Sequence, residues 1–183
     1  MKRAHDGLAK PRAEIESPAA RQEKAVIQLR DVRPNELSHL DGLCLRSKAV
    51  WGYDEAFMAA CRAELTLHPD ELRTTQLQVA ERDAIAVGLA QLKVTGGDAE
   101  LMKLFVEPAL LGSGIGRLLF AWAAERARAL GAVRMTIEAD PGAAPFYARM
   151  GARQAGLAPS QSIPGRMLPL LHMELARETG LPR

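Results

Sequence analysis

The feature that most constrains this chain is a glycine cluster, GSGIG at 112–116, set between two apolar stretches of different period. Before it, ELMKLFV at 100–106 has the composition of a strand. After it, Ile115, Leu118, Leu119, Trp122, Ala123 and Leu130 fall on one broad helical face, and Gly131 supplies the stop. VRMTIEA at 133–139 then reads as a further strand. Strand, glycine turn, helix and strand in that order make a crossover, which leaves its two strands parallel. The same turn exposes the first amides of the helix at its positive dipole end, with no side chains in front of them. That arrangement is suited to an anion.

The residues after the last glycine narrow the choice of anion. A P-loop continues with Lys and then Ser or Thr, but Gly116 is succeeded by Arg117 and Leu118. The dinucleotide fingerprint gains Gly112 and Gly114, with Glu138 at a strand end about 20 residues on, yet places Arg117 at its third glycine. The chain after Glu138 is also too short for the rest of such a sheet. A dinucleotide oxidoreductase therefore stands as a minor reading, to be tested by competition between NAD and CoA.

The other elements make the crossover part of a small mixed domain. Residues 1–24 are polar, of mixed charge and broken by Pro11 and Pro18, and are expected to form a flexible tail, with the folded domain spanning 25–178. AVIQLRDV at 25–32 reads as a strand ended by Pro34, with Asn35 capping a helix to Ala49. Asp54 caps a second helix that runs to Leu67, before His68 and Pro69. Strands at 76–80, 84–94 and 100–106, separated by turns at 81–83 and 95–98, form an antiparallel meander. A short helix at 143–150 and strands at 152–157 and 168–175 complete a chain of 183 residues, the size of one domain.

Charge and cysteine usage exclude several classes. With 24 basic residues against 22 acidic ones, net +2 and scattered, nucleic acid is not an expected partner. No apolar run is long enough for a bilayer, and none of the first residues form a secretory core, so a cytoplasmic protein without membrane contact is expected. Cys44 and Cys61 suit buried hydrophobic positions, and His5, His39, His68 and His172 have no metal-ligand spacing, so no metal is expected.

Two segments carry a resemblance to a known family. LMKLFVEPALLGSGIGRLLF at 101–120 resembles the coenzyme-binding motif of the GNAT superfamily of acyl-CoA-dependent N-acetyltransferases: a strand, a Val-x-Pro exit, then Gly-x-Gly-x-Gly and a helix. DPGAAPFYARMGA at 140–152 is similar to the family segment Asn-x-x-Ala-x-x-x-Tyr-x-x-x-Gly-Phe. With IQLRDVRPNE as the leading strand and turn, the resemblance extends over about 25–176. Three positions depart from it: Leu111 stands where Arg or Gln is usual, Asp140 where Asn is common, and Ala152 where Phe is usual.

The resemblance implies a mixed α/β fold of the GNAT type. It predicts a central twisted mixed sheet of about six or seven strands, with a splayed parallel pair at the coenzyme site, flanked by about four helices. It implies acetyl-CoA as cosubstrate and transfer of acetyl to a primary amine of a small molecule or peptide by direct attack on the thioester. The alternative is a non-catalytic acyl-CoA-binding regulatory module on the same fold. Coenzyme contacts are expected from Leu104, Phe105 and Val106, from Gly112, Ser113, Gly114, Ile115, Gly116 and Arg117, and from Asp140. Tyr147 matches the tyrosine that protonates the departing thiolate, and Glu100 is the candidate base. For the acceptor, Trp51 and Tyr53 in the turn WGYD and Arg166 in SIPGR are the candidates, although a plain helix seal also accounts for the aromatics. Oligomeric state stays open, a homodimer included.

Overall fold

The computed structural model describes residues 26–175. The expected tail, and the ends of the 25–178 domain beyond those limits, lie outside the described residues.

Seven strands form one sheet in the order β1-β2-β3-β4-β5-β7-β6. They are β1 (Gln28–Asp31), β2 (Gln76–Arg82), β3 (Ile85–Thr95), β4 (Asp98–Val106), β5 (Arg134–Glu138), β6 (Arg153–Pro159) and β7 (Met167–Glu174). The four helices are α1 (Leu37–Ala49), α2 (Glu55–Leu65), α3 (Ile115–Ala129) and α4 (Ala144–Arg149). β4 and β5 are parallel, joined by the α3 crossover, and every other pairing is antiparallel. This is the mixed GNAT-like architecture read from the sequence.

Several boundaries differ from the sequence reading, each for a local reason. Asn35 does not cap α1. Pro34 starts a short 3-10 turn at 34–36 that the Glu36 carboxylate closes, accepting the Arg33 amide at 2.8 Å while Arg30 grips it at 2.6 Å, and α1 follows with Glu36 at its N-cap and no side-chain cap. α2 starts where expected, with Asp54 accepting from the Phe57 amide at 2.8 Å, but ends at Leu65 rather than Leu67. The β2–β3 turn is Asp83–Ala84, both with positive φ, one residue later than the charge pattern suggests.

Helices cover both faces. On one, Leu40, Leu43 and Cys44 of α1 and Cys61 and Leu65 of α2 close on Leu77, Val79 and Leu89. Both cysteines are buried and free, and burial pushes the Cys44 thiol up to about 12. On the other face, Leu119, Phe120, Ala123 and Ala127 of α3 pack on Ala90, Leu92, Leu101 and Met135. Gly88 of β3 is what seats the start of α3: a Cβ there would meet Leu119 Cδ1 and the Phe105 carbonyl at 3.0 Å and Ile115 Cγ2 at 3.1 Å.

The parallel pair is short. β4 and β5 match only at Asp98–Arg134, Ala99–Met135 and Glu100–Thr136, although β4 continues to Val106 and β5 to Glu138. Met102 is the extra residue of a bulge in β4, since Leu101 faces Leu92 and Lys103 faces Gln91 on β3. A bulge bends its strand and ends pairing. Here it falls two residues past the last β4–β5 match, so the two strands part and leave an open slot between them.

Candidate active site

The slot opens into a cleft of about 610 Å³, inside the roughly 300–1,000 Å³ range of small-molecule sites. One wall is the free edge of β4. The Glu107 amide donates to Val87 on β3 at 2.9 Å, so by strand alternation Val106 and Leu104 turn their amides the other way, into the slot. Val106 aims its amide at Ser47 Oγ, at a long 3.4 Å. Leu104, Phe105 and Val106 all line the cleft.

The glycine turn forms the far end. Gly112 and Gly114 have φ of +81° and +95°, the left-handed region that disfavours any Cβ. Ser113 closes the turn rather than facing the cleft, its amide and hydroxyl donating to the Leu110 carbonyl at 3.2 and 2.6 Å. α3 then starts with no side chain capping its first amides, which leaves an N-terminal cradle for an anion. Gly112, Gly114, Gly116 and Arg117 line the cleft here, joined by Arg149, whereas Ile115 is buried in the core beneath.

At the opposite end four chain segments meet on Asp140, just beyond β5. Its carboxylate accepts from the Tyr53 hydroxyl at 2.7 Å and from Arg166 at 3.3 Å, pairs with Lys48 Nζ at 3.3 Å, and takes the Gly142 amide at 3.2 Å. Burial pushes the Asp140 carboxyl up, but these partners outweigh it and hold it below the usual carboxylate value. Arg166 lies over the rings of Tyr53 and Phe57, at 5.0 and 4.8 Å, and those rings stack at 3.9 Å. Burial, then the bond to Asp140, pushes the Tyr53 phenol up to about 12.

Lys48 and Asp140 line the cleft, while Tyr53 and Arg166 stand behind Asp140 and do not. Two of the three acceptor candidates, Tyr53 and Arg166, are thus joined to each other and to the expected coenzyme residue Asp140, with their polar groups already engaged. Trp51 does line the cleft, 44% exposed, its ring against the Gly142 backbone, where a Cβ would clash at 2.4 Å.

Tyr147 lies on the same cleft from α4, with its ring packed on Phe120 and Phe146. Burial, reinforced by the Asp140 charge, raises its pKa well above the ordinary tyrosine value, so it is a neutral phenol throughout the physiological range.

Glu100 is exposed and sits at the paired end of β4, outside the cleft lining. Besides Asp140, the carboxylates that line the cleft are Glu138, at the end of β5, and Glu64 of α2. Glu138 is itself exposed, and partial desolvation of its carboxyl, then the charges of Glu100 and Glu64, raises that carboxyl above its usual value. The sequence offers Glu138 only as the strand-end acid of a dinucleotide fingerprint; Glu64, Ser47 and Lys48 carry no signal there, because only the folded helix pair brings them to the slot.

A family model described as an acetyltransferase (GNAT) domain matches residues 29–175. The chain belongs to this family. No curated protein sequence matches it. Among solved structures the GNAT fold recurs in a GCN5-related N-acetyltransferase from Rhodopseudomonas palustris, 23% identical, with a TM-score of 0.68 over 81% of this chain and 95% of that one. It recurs in the PaiA N-acetyltransferase from Thermoplasma acidophilum, solved with coenzyme A: 16% identity, TM-score 0.66, 81% and 99% coverage. YncA from Salmonella typhimurium, solved with acetyl-CoA, gives 16% identity, TM-score 0.61, and 85% and 98% coverage. No helix among the described residues of this GNAT domain is long and apolar enough to cross a membrane.

Proposed function

We propose that this GNAT domain transfers an acetyl group from acetyl-CoA to a primary amine of a small molecule or peptide, by direct attack on the thioester. The observation that supports this most is the unpaired stretch of β4 beyond Glu100, with Tyr147 on the cleft it opens.

The donor set suits an extended ligand that carries amides and then a pyrophosphate. Backbone groups of Leu104 and Val106 face the slot, the α3 amides and Arg117 lie at its far end, and no side chain intrudes between them at Gly112 or Gly114. Acetyl-CoA brings the activated acyl carbon and the thiolate leaving group. An amide of β4 stabilises the negative charge that grows on the carbonyl oxygen as the amine nitrogen adds. When the C–S bond breaks, Tyr147 gives the sulfur its phenolic proton.

The amine must lose its own proton. At pH 7 a lysine-like amine of pKa ~10.4 costs about 4.6 kcal/mol to deprotonate, and an α-amino group near ~7.8 about 1 kcal/mol. Glu138 is the better-placed acceptor of that proton: it lines the cleft and its affinity for a proton is raised. Glu100, the base expected from the sequence, adds to that rise as a neighbouring charge. Trp51 borders the acceptor directly, and Tyr53 and Arg166 act on it only through Asp140.

The test is release of free thiol from acetyl-CoA across a panel of amines. Turnover with at least one amine, and a fall of about 10²- to 10⁴-fold for Tyr147→Phe with coenzyme affinity kept, is the expected result. Coenzyme binding without turnover on any amine would instead favour a regulatory module.

A further inference from the structure

Away from the glycine turn, the cleft holds charges of both signs that no partner neutralises. Lys103 of β4 lines it and is only 6% exposed. Among the described residues it enters no ion pair. Its hydrogen bond goes to a neutral group, Nζ donating to Gln91 Oε1 at 3.0 Å. An ammonium has further protons to donate, and a buried charge is unfavourable until something pairs with it. Glu138 and Glu64 line the same cleft and also enter no ion pair among the described residues; Glu64 accepts from the Ser162 hydroxyl. We infer that the acceptor is a zwitterion of the amino-acid type, its carboxylate held by Lys103 and its amine brought to the Glu138 side; this rests on the acetyl-transfer reading above.

The β4 bulge is what puts Lys103 there. Two apart on a regular strand, Leu101 and Lys103 would share a face. With Met102 as the extra residue, Leu101 stays in the core under α3, and Lys103 turns to the α1–α2 face, where Phe105 packs. Glu138 follows Ile137, which belongs to the α3 side, so strand alternation sets Glu138 on the same face as Lys103. Opposite Lys103 on β3, Gln91 is fully buried, and its Nε2 donates to Thr75 Oγ1 at 3.1 Å and to Glu71 Oε2 at 3.2 Å. Those two acceptors fix the amide so that its carbonyl oxygen meets the lysine. The network orients Nζ and leaves its charge uncompensated, because Glu71 bonds Gln91 and not Lys103.

The other cations near this end are already engaged. Lys48 and Arg166 both pair with Asp140, so Arg166, the acceptor anchor expected from the sequence, is not free for an anion. The charges that act on the Glu138 carboxyl are those of Glu100 and Glu64, both acidic, so Lys103 does not neutralise it. A plain amine would answer the carboxylates and leave Lys103 bare. A simple anion would do the reverse. A molecule with an amine at one end and a carboxylate at the other satisfies both, and it presents the nitrogen on the side of the group that takes its proton.

The probes are acceptors that differ only in the carboxylate: glutamate and glutamine, 4-aminobutanoate and its amide, glycine and glycinamide, each assayed with acetyl-CoA and the full chain. For at least one pair, wild type should prefer the acid in kcat/KM by about tenfold or more, the scale of one charge-assisted hydrogen bond. Lys103→Gln keeps a donor for Gln91 and removes the charge. It should raise KM for that acid about tenfold, keep kcat within about twofold and leave the amide unchanged, the pattern of a lost binding contact. Its melting temperature should hold or rise, since an uncompensated buried charge is gone. A lysine needed only for packing would instead lower the melting temperature and weaken both members of the pair alike. That result, equal use of acid and amide by wild type, or turnover confined to amines without a carboxylate would overturn the zwitterion and leave acetyl transfer standing. Absence of turnover on every amine, these and plain ones, would overturn acetyl transfer and the zwitterion with it.

Discussion

The two ends of the cleft are built in different ways. The coenzyme end comes from consecutive residues: a strand edge, two left-handed glycines and the first turn of α3, with backbone amides as donors. The other end is assembled from side chains on α1, the α1–α2 turn, β5 and the β6–β7 loop, which meet on Asp140. A backbone site depends on local conformation and tolerates changes of side chain. A side-chain site depends on the whole tertiary arrangement, so each of its members is a separate point of failure.

The largest effect on rate expected from this contrast is at the side-chain end. Glu138→Gln keeps the shape of the carboxyl and removes its ability to take a proton. The rate should fall by about 10²-fold or more, with CoA binding unchanged. The wild-type profile gives a second handle. Because the Glu138 pKa is raised, activity should decline on the acid side at a higher pH than an unperturbed glutamate would give, and that limb should vanish in the variant. A limb that survives Glu138→Gln assigns the proton acceptor elsewhere.

The largest effect on stability belongs to Asp140→Ala, which leaves Lys48 and Arg166 facing each other with their shared counter-charge gone. Breaking such a buried pairing costs about 3–5 kcal/mol, and the lower end applies where one partner keeps some solvent. The loss is read as a drop in melting temperature. The sign with pH comes from the depressed Asp140 pKa. Its contribution is complete above the unfolded carboxyl value and disappears as pH falls through the lower folded one. Asp140→Asn should keep the Tyr53 bond and flatten that acid-side decline, which separates charge from shape.

The same contrast explains what the sequence disclosed. The crossover, the antiparallel meander and the glycine turn were legible because each is set by contiguous residues: period, turn chemistry and a helix stop. The splay was legible only through the family resemblance and not from the residues themselves, because it results from a one-residue bulge at Met102 visible only in the register with β3. Asp140 was legible as a position but not as a hub, since its partners lie 87, 92 and 26 residues away in the chain. Glu100 is singled out by its strand, yet the parallel pair holds it at the closed end, and Glu138 reaches the slot because it lies past the last matched pair.

At the coenzyme end a backbone change should cost less in stability than the loss of Asp140. Gly114→Ala meets no neighbouring atom, so its penalty is that of a left-handed Cβ, about 1–2 kcal/mol. Melting should drop accordingly and CoA affinity should fall with it, because the same φ that is strained aims the first amides of α3. Loss of stability with CoA affinity intact would detach the turn from anion binding.

The smallest effect is a gain. Leu111 is 53% exposed and lines the cleft beside the turn, at the position where a donor is usual in the family. If the anion is held by backbone amides, Leu111→Arg adds one solvent-screened charge to a site already complete. Exposed pairs of that kind contribute about 0.2–1 kcal/mol, so CoA should bind at most about fivefold more tightly, and the gain should fade in high salt. An increase of a hundredfold would mean that the amides alone hold the pyrophosphate poorly. The difference between the two ends of the cleft would then shrink, since both would depend on side chains.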